Sequence, residues 1–426
     1  MKLSLKWKTL IAVALFIVVF VALLLVATFC DLQVSQLLTK NALKEGEYFA
    51  TDFFGVLLEC VGCIPLYLMI AFGLCVLFWS SVRIVREKNN ALGIVLAVLC
   101  GIGVVVACWY TVKDITSYVF EHIAATVSGS IGHTAMAGGD VYKALEDLKH
   151  SGAIYGIEVI IGILIAAPSI LVTKLFDRDT LVKLLRFLLA TAVALVVANV
   201  LVMIVKDPVG RMRYRAINST LGATFIETKD VPGFTRWYVL NKQPSDTVLK
   251  AFKNFYGVSD AFKSFPSGHT CSAGTVYALI MIPDLFELKG KKGAKLACWI
   301  VPIVYTALVA ISRIVVGAHY MSDVLFGGTF AFVCIAIARE IFLYRGAHVL
   351  SVFGKEPKKA PVLAGAYGTT IAEPAPEETE QATASEETPA SEETPEEQTE
   401  TYVQSDDATV ENGDDSAVET EESKTE

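Results

Sequence analysis

The fold of this chain is decided by residues 296–323, LACWIVPIVYTALVAISRIVVGAHYMSD, in which a long apolar run leads into a short polar motif. The run approaches the ~20 mostly apolar residues that a membrane-spanning helix requires. At its end lie Ser312 and Arg313, followed by His319 and Asp323. The stretch therefore predicts a transmembrane helix that delivers a cation, an imidazole and a carboxylate to one face of a membrane.

The rest of the chain has the same apolar character. Hydrophobic residues make up 54% of its 426 positions and the mean hydropathy is +0.52, too apolar for an ordinary soluble domain. We predict an all-α fold, a polytopic membrane bundle of about eight transmembrane helices. The first run is expected to stay uncleaved, because it is longer than the apolar part of a signal peptide and no A-x-A site follows. The eight candidate runs are 9–29, 58–80, 91–112, 153–173, 186–205, 269–286, 296–313 and 320–343.

Three short connectors, residues 81–90, 174–185 and 287–295, are basic. Cytoplasmic loops carry an excess of lysine and arginine, so the pattern predicts a multi-pass cell-membrane protein with both termini in the cytoplasm. Longer connections, such as 206–268, then lie on the opposite side. The polar motifs at the helix ends are therefore expected at the extracytoplasmic face.

The C-terminal part has a different composition. Residues 372–426 contain 20 Asp and Glu and a single Lys, and they repeat ASEETP at 384–389 and 390–395. Such a segment cannot bury enough apolar surface to offset the entropy of ordering, so we predict a disordered acidic tail.

Two further signatures precede the one at 296–323, and both suit phosphate binding. Lys206 and Arg213, spaced K-x6-R, supply a compact point charge and a planar fork that matches phosphate oxygens. An ordinary basic segment beside the membrane is the alternative, but the outer side should carry few cations. In Pro266-Ser267-Gly268-His269 the glycine allows backbone N–H groups to approach an anion, and the serine hydroxyl can donate or cap a helix.

His319 and Asp323 are four residues apart, which places them on one face of a helix. A carboxylate there can hold an imidazole N–H, fix the tautomer and stabilise an imidazolium. A structural His–Asp pair at a helix start is the alternative. Ionisable pairs near a membrane span are costly and usually functional, which favours a catalytic pair.

The three signatures, in this order, resemble those of the type 2 phosphatidic acid phosphatase (PAP2) family. The resemblance implies an integral membrane lipid phosphatase that needs no metal and no cofactor. It implies a phosphohistidine formed on His319, oriented by Asp323, and a general acid at His269. The implied phosphate-binding residues are Lys206, Arg213, Ser267, Gly268 and Arg313. One position departs from the family pattern, since Tyr214 follows Arg213 where the family has a proline that would stiffen the turn.

The resemblance also divides the chain. A six-helix phosphatase core is expected at 91–345, preceded by two additional transmembrane helices at 1–90 and followed by a cytoplasmic linker and tail at 346–426. The expected substrate is a lipid phosphate or a polyprenyl diphosphate, with membrane lipid as surroundings and no nucleic-acid partner. Two alternatives stay open: a phosphotransferase that passes the phosphate to another acceptor, and a non-catalytic protein that binds or moves lipids.

Overall fold

The computed structural model describes residues 4–40, 53–128, 140–256, 260–286, 288 and 291–354. Within these ranges the chain is helical and contains no strand, which confirms the predicted all-α membrane bundle. The acidic tail predicted at 372–426 lies outside the described residues. The helices are α1 Leu5–Lys40, α2 Phe53–Val61, α3 Ile64–Ser80, α4 Arg86–Lys88, α5 Asn90–Ser128, α6 Asp140–Lys149, α7 Gly152–Thr173, α8 Arg178–Val209, α9 Tyr214–Ile217, α10 Thr220–Glu227, α11 Asp246–Tyr256, α12 Gly268–Ala273, α13 Ile282–Leu285, α14 Lys292–Val315, α15 Met321–Phe342 and α16 Ala347–Val352, with a π-helix at Ser81–Val85 and a 3-10 helix at Gly274–Met281.

Seven helical segments in the described ranges are long and apolar enough to cross a membrane. The predicted sixth run, 269–286, differs because it is a composite of α12, the 3-10 helix and α13. A 3-10 helix rises ~2.0 Å per residue against 1.5 Å in an α-helix, so the composite extends roughly 30 Å, about the thickness of a bilayer core. The stretched part packs tightly, since a Cβ added at Gly274 would lie 2.4 Å from the Cβ of Ala331 on α15.

Small residues allow α8 and α15 to pack closely. Ala190 and Ala194 of α8 are buried in one cluster with Ile335 of α15. Such residues let helix backbones approach where lipid supplies no hydrophobic drive for association. The outer face of α8 is apolar as well, with Val196 62% and Met203 70% exposed, as expected of a surface in contact with lipid.

The connection from α8 to α12 forms a layer of short helices with its own core. Met212, Phe252 and Phe262 are buried there, and the last two rings meet edge to face. Trp237 in the same connection donates its indole N–H to Thr28 of α1 at 3.1 Å. These aromatic side chains therefore pack the connection, which begins and ends at the first two signatures.

The first helix packs along α15. Its Phe16 and Phe20 meet Phe332 and Phe326, with ring centroids 5.3 and 5.9 Å apart. Towards the end of α1, Asp31 turns into the protein and is only 3% exposed. The predicted additional helix is therefore joined to the core by apolar contacts and by a buried carboxylate.

Candidate active site

A cavity of about 440 Å³ lies at the helix ends that carry the three signatures. Six of the eight predicted site residues line this cavity. The remaining two, Ser267 and Asp323, are fully buried and are not among the lining residues. Because one cavity collects the end of α8, the start of α12 and the end of α14, these elements present their ends on the same side of the bundle. The six predicted residues that line it are Lys206, Arg213, Gly268, His269, Arg313 and His319.

The way α8 ends explains the spacing between Lys206 and Arg213. Lys206 lies in its last turn, and Gly210 closes the helix with φ +53°, donating its N–H to the Lys206 carbonyl at 3.3 Å. A Cβ at Gly210 would lie 1.8 Å from the Lys242 carbonyl oxygen, so this left-handed turn requires glycine. The reversed chain then brings Arg213 to the same cavity as Lys206.

Tyr214 stands where the family has proline, and the backbone around it has the conformation that a proline would require. Arg213 has φ −68° and ψ 147°, the extended conformation that a residue before proline adopts. Tyr214 is the first residue of α9, a position that proline favours. Its ring packs edge-on against Tyr320, with centroids 6.1 Å apart. The tyrosine therefore replaces the stiffness of proline by packing.

His319 is buried, and a backbone carbonyl holds its imidazole ring. Its Nδ1 lies 2.6 Å from the Ser264 carbonyl oxygen. A carbonyl can only accept, so Nδ1 carries the proton and the neutral ring has its lone pair on Nε2. Burial, together with the positive charges of Arg213, Arg313 and Lys206, holds the pKa of His319 well below its usual value. Near pH 7 the imidazole is therefore neutral, with Nε2 able to attack an electrophile.

Asp323 acts on His319 through Ser264. Its Oδ2 lies 3.7 Å from His319 Nδ1, too far for the predicted direct hydrogen bond. That oxygen accepts instead from the Ser264 hydroxyl at 2.5 Å and from the Tyr320 N–H at 2.8 Å. The physical reason is helix capping, since Asp323 is the third residue of α15 and turns back to the N–H that precedes the helix. The carboxylate thus positions the serine, and the serine positions the imidazole.

Arg211 clamps two carboxylates behind the cavity. It is fully buried and donates to Asp323 at 2.6 Å and to Asp31 at 2.8 Å. Asp31 also accepts from the Ser322 N–H at 2.9 Å, and the guanidinium lies 4.0 Å from the Tyr320 ring centroid. The cation therefore fixes Asp323 and ties it to α1.

The turn before α12 separates its serine from its glycine. Ser267 is the N-cap of α12, and its hydroxyl accepts from the Thr270 N–H at 3.3 Å. This is the capping alternative, and it keeps Ser267 behind the cavity rather than among the lining residues. Gly268 lines the cavity, and a Cβ added there would lie 3.5 Å from the Lys206 ammonium. The glycine therefore brings bare backbone beside that cation.

His269, the predicted general acid, is held by a tyrosine of another helix. Its Nε2 lies 2.9 Å from the Tyr118 hydroxyl, and the two rings meet edge to face with centroids 5.7 Å apart. Tyr118 is on α5, which continues past the predicted end of the third run at 112, and it lines the same cavity. The pair places a hydroxyl and an imidazole side by side in the cavity wall.

Carboxylates hold two of the cavity's arginines. Arg213 donates to Asp260 Oδ2 at 2.6 Å. Arg313, 1% exposed, forms a buried ion pair with Glu59 of α2, and His122 Nε2 lies 3.5 Å from the same carboxylate. Ion pairs of this kind fix the plane of a guanidinium.

Residues 183–347 match the family model described as the PAP2 superfamily. The chain carries a PAP2 superfamily domain. The PAP2 domain begins within α8, ends at the start of α16 and contains all eight predicted site residues. The PAP2 domain lies in a chain that has, among its described residues, seven helical segments long and apolar enough to cross a membrane. Comparison with curated proteins and with solved structures gave no match.

The site extends beyond the PAP2 domain. Asp31, Glu59 and Tyr118 all precede it, yet each contacts a residue inside it. Sequence reasoning missed them because none belongs to a signature. A signal existed for two of the three: Glu59 lies inside the predicted run 58–80, and Asp31 follows the run 9–29. Ionisable groups at a membrane span are rare unless they have a partner or a function.

Proposed function

We propose that the protein is an integral membrane phosphatase that hydrolyses a lipid phosphate or a polyprenyl diphosphate through a phosphohistidine on His319. The proposed reaction needs no metal and takes place at the extracytoplasmic face. The match of residues 183–347 to the PAP2 superfamily model and the charge pattern of the connectors support this proposal.

The observation that carries the proposal is the hydrogen bond from His319 Nδ1 to the Ser264 carbonyl. It leaves Nε2 unprotonated in a neutral ring, which is the state a nucleophile needs. A buried structural histidine would satisfy both ring nitrogens. Here the ring lines a cavity with Lys206, Arg213 and Arg313, whose charges can stabilise the equatorial oxygens of a transferring phosphoryl group.

The proposed reaction has two displacements at phosphorus. In the first, the Nε2 lone pair of His319 forms a bond to phosphorus while the bond from phosphorus to the leaving oxygen breaks. That oxygen keeps the electron pair and takes a proton from His269. In the second, water attacks phosphorus and gives a proton to His269, and the breaking P–N bond returns its electron pair to His319. Inorganic phosphate is released and both histidines are restored.

A site at the helix ends suits a substrate with a long apolar chain. The chain can stay in the lipid that surrounds the exposed apolar faces, while the phosphate reaches the cations. Lys206 and Arg213 are the expected first contacts for this phosphate, because Lys206 lies in the last turn of α8, Arg213 directly precedes α9, and both line the cavity.

Phosphate release by the purified protein in detergent, with EDTA present, tests the proposal. The panel should contain lipid monophosphates and polyprenyl diphosphates. We expect turnover that survives EDTA and disappears in His319→Ala, with a phosphohistidine at position 319 detected after rapid quenching. His150→Ala is a matched control, because His150 is exposed and does not line the cavity.

Three results would count against the proposal. If folded protein releases no phosphate from any lipid, the non-catalytic alternative takes its place. If His319→Ala retains the wild-type rate, the nucleophile lies elsewhere. A product in which the phosphate has moved to an added alcohol, with little inorganic phosphate, would indicate a phosphotransferase.

A further inference from the structure

We propose that Arg215 forms a second phosphoryl subsite in the cavity and that the preferred substrate is a lipid diphosphate rather than a monophosphate. The inference rests on the proposed function and goes beyond the signatures, since Arg215 belongs to none of them. It follows from which of the cavity's cations already have a partner.

Four cations line the cavity, and two of them are neutralised. Arg213 is paired with Asp260 and Arg313 with Glu59. Within the part of the chain that the structure describes, neither Lys206 nor Arg215 forms an ion pair. Lys206 belongs to the first signature and lies beside the glycine of the turn before α12. Arg215 remains without an assigned role.

The environment of Arg215 points to a ligand. The residue is only 8% exposed, and its Nη1 is buried without a hydrogen-bond partner among the described residues. A guanidinium has five N–H donors, and a buried charge without a partner is strongly unfavourable. Because the side chain also lines the cavity, an anion that enters there would satisfy it.

The backbone places Arg215 near the nucleophile. Its N–H donates to the Gly317 carbonyl at 2.8 Å, two residues before His319. Arg213, on the other side of Tyr214, is instead bound through its N–H to the Ala261 carbonyl at 2.8 Å. The two arginines are therefore anchored to different chain segments, and both line the cavity.

A diphosphate can contact the signature cations and Arg215 at the same time. One phosphoryl group would be attacked by His319 among the signature cations, and the other would contact Arg215. When the bridging P–O bond breaks, its electron pair moves to the oxygen of the departing lipid monophosphate, and Arg215 stabilises this new charge. A volume of about 440 Å³ falls within the ~300–1,000 Å³ of pockets that bind drug-sized ligands, so it has room for more than one phosphoryl group.

The test compares a polyprenyl diphosphate with the monophosphate of the same chain, in wild type and Arg215→Gln. We expect the substitution to lower kcat/KM for the diphosphate roughly 10- to 100-fold, the effect of losing a charge-assisted hydrogen bond, and to leave the monophosphate within about threefold. Arg215→Lys should restore part of the preference. Arg236→Gln, an exposed arginine in the same connection, is the matched control.

Equal losses for both substrates, or no loss for either, would overturn the subsite. A folding defect is recognised by the thermal denaturation of each variant in detergent. If wild type hydrolyses neither lipid, the proposed function fails while the subsite is still tested by binding. Inorganic pyrophosphate should then raise the melting temperature of wild type more than inorganic phosphate does, and Arg215→Gln should abolish that difference. Equal effects of the two anions on wild type would refute the subsite.

Discussion

Replacing Asp31 by asparagine tests whether α1 is part of the active site. Asp31 is 3% exposed and faces Arg211, which is fully buried. Asparagine keeps the shape and one acceptor oxygen but removes the charge. A hydrogen bond to a charged group contributes ~1.5–3 kcal/mol, and removing one partner of a buried ion pair costs ~3–5 kcal/mol. Because Arg211 keeps Asp323, we expect the free energy of unfolding to fall by about 2–3 kcal/mol.

The same substitution should lower kcat. With Asp31 neutral, Arg211 is balanced by Asp323 alone, and the contact of Asp323 with Ser264 that orients His319 is disturbed. KM should change little, because Asp31 does not line the cavity.

Thermal denaturation in detergent measures the stability of Asp31→Asn, and steady-state kinetics measure the activity. Asp179→Asn, an exposed aspartate in the first turn of α8, is the control and should have a much smaller effect. Wild-type stability together with wild-type kcat in Asp31→Asn would show that α1 contributes nothing to the site. A loss of stability with unchanged kcat would refute the idea that Asp31 positions His319 through Arg211 and Asp323. Only the packing role of α1 would then remain.

Three further outcomes are expected. The pKa of His319 lies well below its usual value, so the neutral nucleophile persists as pH falls through 6.5. The acid limb of His319 in the pH profile of kcat/KM should therefore lie clearly below pH 6.5. An acid limb at or above pH 6.5 would contradict the buried surroundings of His319 among cations. Tyr118→Phe removes the hydroxyl that contacts His269. Losing a hydrogen bond worth ~1 kcal/mol should reduce kcat about three- to tenfold, with unchanged stability. An unaltered kcat would exclude a role for this contact. Gly210→Ala forces a side chain into a left-handed turn and against a carbonyl, so expression or melting temperature should fall sharply, whereas Gly156→Ala, in open space within α7, should be neutral or stabilising.

The sequence predicts the membrane bundle well because apolar length is a local property. Seven of the eight predicted runs are helices long enough to span, and the exception, 269–286, changes its helix type under tertiary packing. The pattern of apolar residues cannot show the close contact of Gly274 with Ala331 that accompanies the stretched helix.

The candidate site could be predicted only as far as its signatures reach. Six of the eight proposed residues line one cavity because spacing at helix ends is enough to bring them together. The indirect path from Asp323 to His319 could not be predicted, since two residues at helical spacing do not reveal a third group between them. Ser264 enters from a distant part of the chain, and its carbonyl carries no side-chain signal.

Two buried ion pairs join the PAP2 domain to the chain that precedes it. They are Arg211 with Asp31 and Arg313 with Glu59. The segment that matches the family is therefore shorter than the segment expected to fold. A fragment cut at residues 183–347 would keep both arginines and lose both carboxylates. Arg313 would then remain in a low-dielectric interior without its countercharge, and Arg211 would be balanced by Asp323 alone. Truncation for expression or for domain exchange should therefore retain the chain from α1 onwards, because residues 183–347 alone lack the carboxylates of Asp31 and Glu59 that neutralise buried arginines.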